Sequence, residues 1–167
     1  MITASHNPPE YNGFKMCRGT AAMAGEEIQE LRAVFEEGQF RSGDGQLIDA
    51  SHYLEQYMTE VVNKAGTPSR QVKLAIDCAN AVPGPFMVDL CEKLGCEVFA
   101  LHCDWDNTFP NHPPDPTRAK NMIQLGVKVR EVGAEFGIGV DGDGDRIGVV
   151  DENGNFIHPD RLLAVFA

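Results

Sequence analysis

No stretch of this chain is apolar for long enough to cross a bilayer, and no basic-then-apolar leader follows Met1. A membrane span and a secretory signal are therefore not expected. Cysteine is sparse and oddly numbered: Cys17, Cys78, Cys91, Cys96 and Cys103 form no C-x-x-C pair, and any disulfide scheme strands one of them. Reduced, mostly structural thiols are the better reading, which places the chain in the cytoplasm. Positive charge is also short. With 14 basic against 25 acidic residues the net charge is -11, a field that repels nucleic acid and anionic membrane at long range. An anionic ligand would have to be met by local cations, and Lys15, Arg18, Arg146 and Arg161 are the candidates.

What the chain does have is Asp141-Gly-Asp-Gly-Asp-Arg146. Ionised carboxylates offer only acceptor oxygens, so the gathering of Asp141, Asp143 and Asp145 calls for a cation, and a hard divalent ion suits an all-oxygen set. Gly137 to Val140 leads in as a buried strand, where residues two apart point the same way. Gly142 and Gly144 then let the backbone bend so that the acids can converge. Ordinary turn chemistry explains one Asp-Gly but not three acids in strict alternation. A calcium loop of EF-hand type over 141 to 152 is the alternative, because Glu152 falls at its twelfth position. Against it, Arg146 stands where that loop needs glycine, and the preceding residues read as strand.

A second constellation opens the chain. Thr3-Ala-Ser5-His6-Asn7-Pro8-Pro9 runs into Tyr11-Asn12-Gly13-Phe14-Lys15, a stiff turn bearing a hydroxyl, an imidazole and an amine. A serine needs a base or a cation to act as nucleophile or phosphoryl carrier, and His6 and Lys15 are the nearby candidates.

Between these motifs, apolar spacing predicts amphipathic helices over Glu26 to Glu37, through Ile28, Leu31 and Phe35, and over Ala50 to Lys64, through Tyr53, Leu54, Tyr57, Met58, Val61 and Val62. Both stripes are expected to be core. From Val72 the pattern is strand to Cys78, helix from Gly84 to Leu94, strand from Glu97 to Leu101, a proline-rich loop, helix from Thr117 to Val132 and strand from Glu135 to Val140. The fold class is therefore α/β: βαβ units forming a mostly parallel mixed sheet flanked by helices. Ligands gather beyond the carboxyl ends of such strands, where Asp141 begins. A hairpin is predicted about Asp151 to Asn155, followed by a helix from Pro159. Adjacent His102 and Cys103, taken as strand residues, would face opposite ways, so no site is assigned to them.

Thr3 to Lys15, Gly139 to Val150 and the intervening Asn107-Thr-Phe-Pro-Asn-His-Pro-Pro-Asp-Pro116 together resemble the α-D-phosphohexomutases, in particular the bacterial phosphomannomutase/phosphoglucomutase branch. The resemblance implies a phosphoserine at Ser5. It implies Mg²⁺ held by Asp141, Asp143 and Asp145 with that phosphate, proton and charge movement assisted by His6 and Lys15, and a phosphate grip by Arg146 and Lys15. The implied reaction interconverts hexose 1-phosphates and hexose 6-phosphates of glucose or mannose through a bisphosphorylated sugar. It also implies a partial chain: residues 1–50 as the latter part of a first domain, 51–155 as a second, and 156–167 as the start of a third. The remaining domains of the same enzyme would be partners, and turnover by this piece alone would be weak or absent.

Overall fold

The computed structural model describes residues 1–167. Its strands and helices in chain order are β1 (Cys17–Arg18), β2 (Ala21–Ala22), α1 (Glu26–Glu37), α2 (His52–Ala65), β3 (Lys73–Asp77), α3 (Gly84–Lys93), β4 (Glu97–Leu101), α4 (Ile123–Val132), β5 (Phe136–Val140), β6 (Ile147–Val150), β7 (Phe156–Ile157) and α5 (Pro159–Phe166). No helix is long and apolar enough to cross a membrane.

The main sheet has the order β4-β3-β5-β6-β7, with β3 parallel to both β4 and β5 and the last two pairings antiparallel. Alternation along β3 divides its side chains between two faces. Leu74, Ile76 and Cys78 join Cys91 of α3 and Val140 in one buried cluster. Ala75 on the other face joins Leu125 and Val129 of α4, with Met122, Ala134 and Val150. The sheet is thus sandwiched between α3 and α4, the arrangement the βαβ pattern implies. Helix α4 approaches so closely that a Cβ on Gly137 would lie 2.8 Å from Leu125, Val129 and Val150 side chains.

Two expectations fail. The helix expected from Thr117 begins as a 3₁₀ turn at Ala119–Met122 and becomes α only at Ile123. Asp115 explains the delay: its carboxylate accepts from both the Thr117 amide (3.2 Å) and hydroxyl (2.6 Å), and so holds the backbone in a side-chain-capped turn. The apolar stripes of the first two helices are not core either. Helix α1 buries no residue and α2 buries only Met58, while Phe35 and Tyr53 are well exposed. The small β1–β2 hairpin is exposed throughout and offers α1 no apolar face, whereas α2 packs chiefly along α3.

Candidate functional site

The serine turn and the acidic loop meet at the carboxyl end of the sheet. Asp141 follows β5 directly and is fully buried. Its Oδ2 accepts from the Ser5 hydroxyl at 3.1 Å, and its Oδ1 accepts from the Arg146 amide at 3.0 Å. Asp143 Oδ2 accepts from Thr3 Oγ1 (3.1 Å) and from Lys15 Nζ (2.9 Å), which also reaches Asp145 Oδ2 at 3.0 Å. His6 Nδ1 lies 3.2 Å from Ser5 Oγ and 2.8 Å from an Arg146 guanidinium nitrogen. Arginine can only donate, so that ring nitrogen is the acceptor.

Backbone geometry sets this contact. Ser5 sits at φ 56, a left-handed conformation rare for a residue with a side chain, and its amide is held by Thr3 Oγ1 at 2.8 Å. Gly142 lets the loops touch: a Cβ there would fall 1.9 Å from the Ser5 carbonyl oxygen. On the other side of the turn, Lys15 donates its amide to Met1 O (2.9 Å) and Thr3 donates to Gly13 O (2.9 Å), which brings Lys15 back beside Ser5.

The electrostatics are uneven. Burial pushes the Asp141 carboxyl above its ordinary pKa, reinforced by the charge of Asp143 and opposed by the Arg146 amide. Burial acts the same way on Asp143, but hydrogen bonds from Lys15 and Thr3 outweigh it and hold that carboxyl below its usual range. Those bonds to Asp143 and Asp145 raise Lys15 in turn. Three carboxylates face two cations, Lys15 and Arg146, so negative charge remains in excess. One oxygen, Asp143 Oδ1, is buried without any hydrogen-bond partner. An unsatisfied buried acceptor costs on the order of 1–3 kcal/mol, and more when charged. The orphaned oxygen, the residual charge and the all-oxygen donor set fit a hard divalent cation at Asp141, Asp143 and Asp145, whose ligand atoms lie within 4.8 Å of one another.

Ser5, His6, Lys15, Asp141, Asp143, Asp145 and Arg146 all come together here. Arg18 does not join them; it pairs with Glu27 at 3.5 Å. Arg161 makes no bond to the site and is exposed on α5. The calcium-loop alternative is not realised, because the 141–146 turn joins strands β5 and β6 and Glu152 is exposed in the next turn, bonded to Asn153. Thr3 is the residue sequence reasoning missed. Its position two before the serine was the available signal, since a hydroxyl there can cap the turn. Beside the site lies a cleft of about 360 Å³, lined among others by Asn7, Tyr11, Trp105 and Phe109.

The strand geometry that leaves His102 without a site is not what the structure has. Strand β4 ends at Leu101 and His102 has φ 50, so strand alternation does not apply to it. It stands with Asp77 and His112 in a second cluster.

Comparison with known proteins agrees with the motifs. Residues 52–154 match the family description "Phosphoglucomutase/phosphomannomutase, alpha/beta/alpha domain II", and residues 1–42 match domain I of the same family. A phosphoglucomutase of Neisseria meningitidis is 46% identical over 168 residues, covering 100% of this chain and 36% of the relative. A phosphomannomutase/phosphoglucomutase of Pseudomonas aeruginosa is 42% identical, again over 100% of this chain and 36% of its own length. A crystal structure of a phosphoglucomutase/phosphomannomutase family protein from Burkholderia thailandensis superposes with a TM-score of 0.89 at 41% identity, over 99% of this chain and 36% of that one. The chain thus spans about a third of the length of these relatives, in keeping with the partial chain expected from its motifs.

Proposed function

Because this chain belongs to the phosphoglucomutase/phosphomannomutase family, we propose that it carries the phosphoryl-donor and cation-binding parts of a phosphohexomutase, an isomerase that interconverts hexose 1-phosphates and hexose 6-phosphates. Glucose and mannose phosphates are the proposed substrates, and the proposed intermediate is the 1,6-bisphosphorylated sugar. The chain divides near residue 50 into the latter part of a first domain, a second domain at 51–155, and the start of a third at 156–167. Support for the first boundary comes from residues 39–50, which form no helix or strand. The remaining domains would complete the sugar site. The five free thiols favour the cytoplasm.

One observation carries the proposal. Ser5 and Asp141, 136 residues apart, are in hydrogen-bond contact at 3.1 Å beside a buried carboxylate oxygen that has no partner. Ser5 Oγ is the atom that bears the phosphoryl group and returns it. When the hydroxyl accepts a phosphoryl group its proton must leave; Asp141 Oδ2 already accepts it, and His6 Nδ1, 3.2 Å from the hydroxyl, is open to it only when Arg146 turns from the ring to the phosphate. Arg146 holds His6 by Nδ1, orienting the ring towards the serine and bringing its guanidinium to the place where phosphate oxygens would lie. Lys15 spans Asp143 and Asp145 as a point charge able to turn to an incoming phosphate. Asp141, Asp143 and Asp145 would hold Mg²⁺ with an oxygen of that phosphate. Bound there, the ion neutralises phosphate oxygens in a reaction that depends on positioning and charge more than on covalent chemistry.

The test is intact-mass analysis after incubation with glucose 1,6-bisphosphate and Mg²⁺, in this chain and in the natural full-length polypeptide. A single phosphate on Ser5, absent in Ser5→Ala, is expected. An unmodified Ser5 in the full-length form would overturn the assignment.

A further inference from the structure

Asp77, His102 and His112 each place one ligand atom within 4.8 Å of the other two, in a cluster that the proposed phosphoryl chemistry does not use. Asp77 ends β3 and is buried, His102 follows β4, and His112 sits in the proline-rich loop between β4 and α4. Parallel pairing of β3 with β4 and the return of the loop over their ends bring them together.

Their surroundings orient them as ligands. His112 Nδ1 lies 3.0 Å from the Pro113 carbonyl, which can only accept, so the proton is on Nδ1 and Nε2 is turned to Asp77 Oδ2 at 3.0 Å. His102 Nε2 is bonded to Gln124 Oε1 at 2.6 Å, which leaves Nδ1 without a hydrogen bond. Asp77 Oδ1 is taken by the Ala79 amide at 2.9 Å, so Oδ2 is the oxygen left to face His112. Each of the three residues thus has one polar atom held by a carbonyl, an amide oxygen or a backbone N–H, the kind of support that fixes the tautomer and angle of metal-bound histidines. The two rings stand nearly perpendicular, at 77° with centroids 5.6 Å apart. Metal–nitrogen and metal–oxygen bonds of about 2.1 Å at a tetrahedral angle separate two ligands by roughly 3.4 Å. The 3.0 Å between His112 and Asp77 needs to open by only a few tenths of an ångström. Without a metal, a shared proton satisfies that pair but leaves one nitrogen of His102 without a hydrogen bond.

We propose that Asp77, His102 and His112 form a second cation site, for a borderline divalent metal of the Zn²⁺ type, that clips the 102–118 loop to the ends of β3 and β4. Two imidazoles and one carboxylate suit such an ion, whereas the three carboxylates at 141–145 suit Mg²⁺. The loop it would hold carries Trp105, Asn107 and Phe109, which line the cleft beside Ser5.

The test is titration of the chain with Zn²⁺ by calorimetry and with Co²⁺ by visible absorption, in a Cys17→Ser background that removes the exposed thiol. One equivalent of Co²⁺ with nitrogen-ligand absorption is expected. It should persist when Asp141, Asp143 and Asp145 are all changed to Asn, and weaken at least about 10-fold in His102→Asn and in His112→Asn. His102→Asn is the decisive variant, because asparagine tolerates the φ of 50 found there and folding can be checked by circular dichroism. No binding by the parent, undiminished binding by His102→Asn, or binding lost with the aspartate triplet would each overturn the proposal.

Discussion

Substituting alanine for Gly142 probes the contact on which the site depends. The added Cβ would meet the Ser5 carbonyl oxygen at 1.9 Å, where ordinary contact begins at 3.4 Å. Both partners are backbone or directly attached to it, so no side-chain rotation relieves the clash, and the loops must separate by about 1.5 Å. Separation along that line breaks the 3.1 Å bond from Ser5 to Asp141 and moves the serine away from the carboxylates. A misplacement of about 1 Å at a reacting group costs on the order of 100-fold in rate. The core clusters under α3 and α4 do not include either loop, so the cost to folding should be limited to about 1–3 kcal/mol. The assay is the rate of Ser5 phosphorylation by glucose 1,6-bisphosphate, followed by intact mass, with urea unfolding alongside. Gly43→Ala, which meets no atom within 4 Å, is the control and should behave as the parent. A Gly142→Ala chain that is phosphorylated at the parental rate would refute the close contact.

Other perturbations act on chemistry, on stability or on both. Lys15→Met should slow Ser5 phosphorylation by roughly 100-fold and, by taking the cation from the nearly buried Asp143 carboxylate, also lower the thermal midpoint, more at neutral pH than in acid where that carboxyl is protonated. Leu125→Ala, at a fully buried position, should lower unfolding free energy by about 2–5 kcal/mol in urea titrations and leave phosphorylation intact at temperatures where the chain stays folded. Asp115→Asn tests a pH dependence. Burial acts to raise this carboxyl, but bonds from Thr117 and Arg118 outweigh it and hold it below its ordinary value of 3.8. A depressed folded-state pKa stabilises above the ordinary value, and the stabilisation is lost as pH falls through the folded-state value. The variant should therefore be less stable than the parent by roughly 1.5–3 kcal/mol at neutral pH. That gap should close in denaturation curves taken progressively below pH 3.8.

Much of this could be read from the residues, and the failures have physical causes. The alternation of Asp141, Asp143 and Asp145 after a buried strand, and the stiff serine turn, are local patterns, so their chemistry was legible. So was the βαβ order, because strand and helix periods differ clearly between Val72 and Val140. Burial of α1 was not, since an apolar stripe on Ile28, Leu31 and Phe35 records what a helix could cover and not whether a partner face is present. The start of α4 was misjudged because Asp115 satisfies the Thr117 amide with its own side chain, an option that helix periodicity does not register. Asp77, His102 and His112 are separated by 25 and 10 positions with no regular spacing. Only the parallel pairing of β3 with β4, and the loop folding back over their ends, reveals them as neighbours.

A divalent cation bound by the aspartate triplet within reach of a phosphate on Ser5 is central to the proposed chemistry. The most direct measurement is the ³¹P resonance of the Ser5-phosphorylated chain titrated with Mn²⁺ in place of Mg²⁺. Strong paramagnetic broadening at one equivalent, reversed by excess Mg²⁺ and abolished by Asp143→Asn, is the expected result. A phosphoserine line that stays sharp while the triplet is loaded with Mn²⁺ would contradict it.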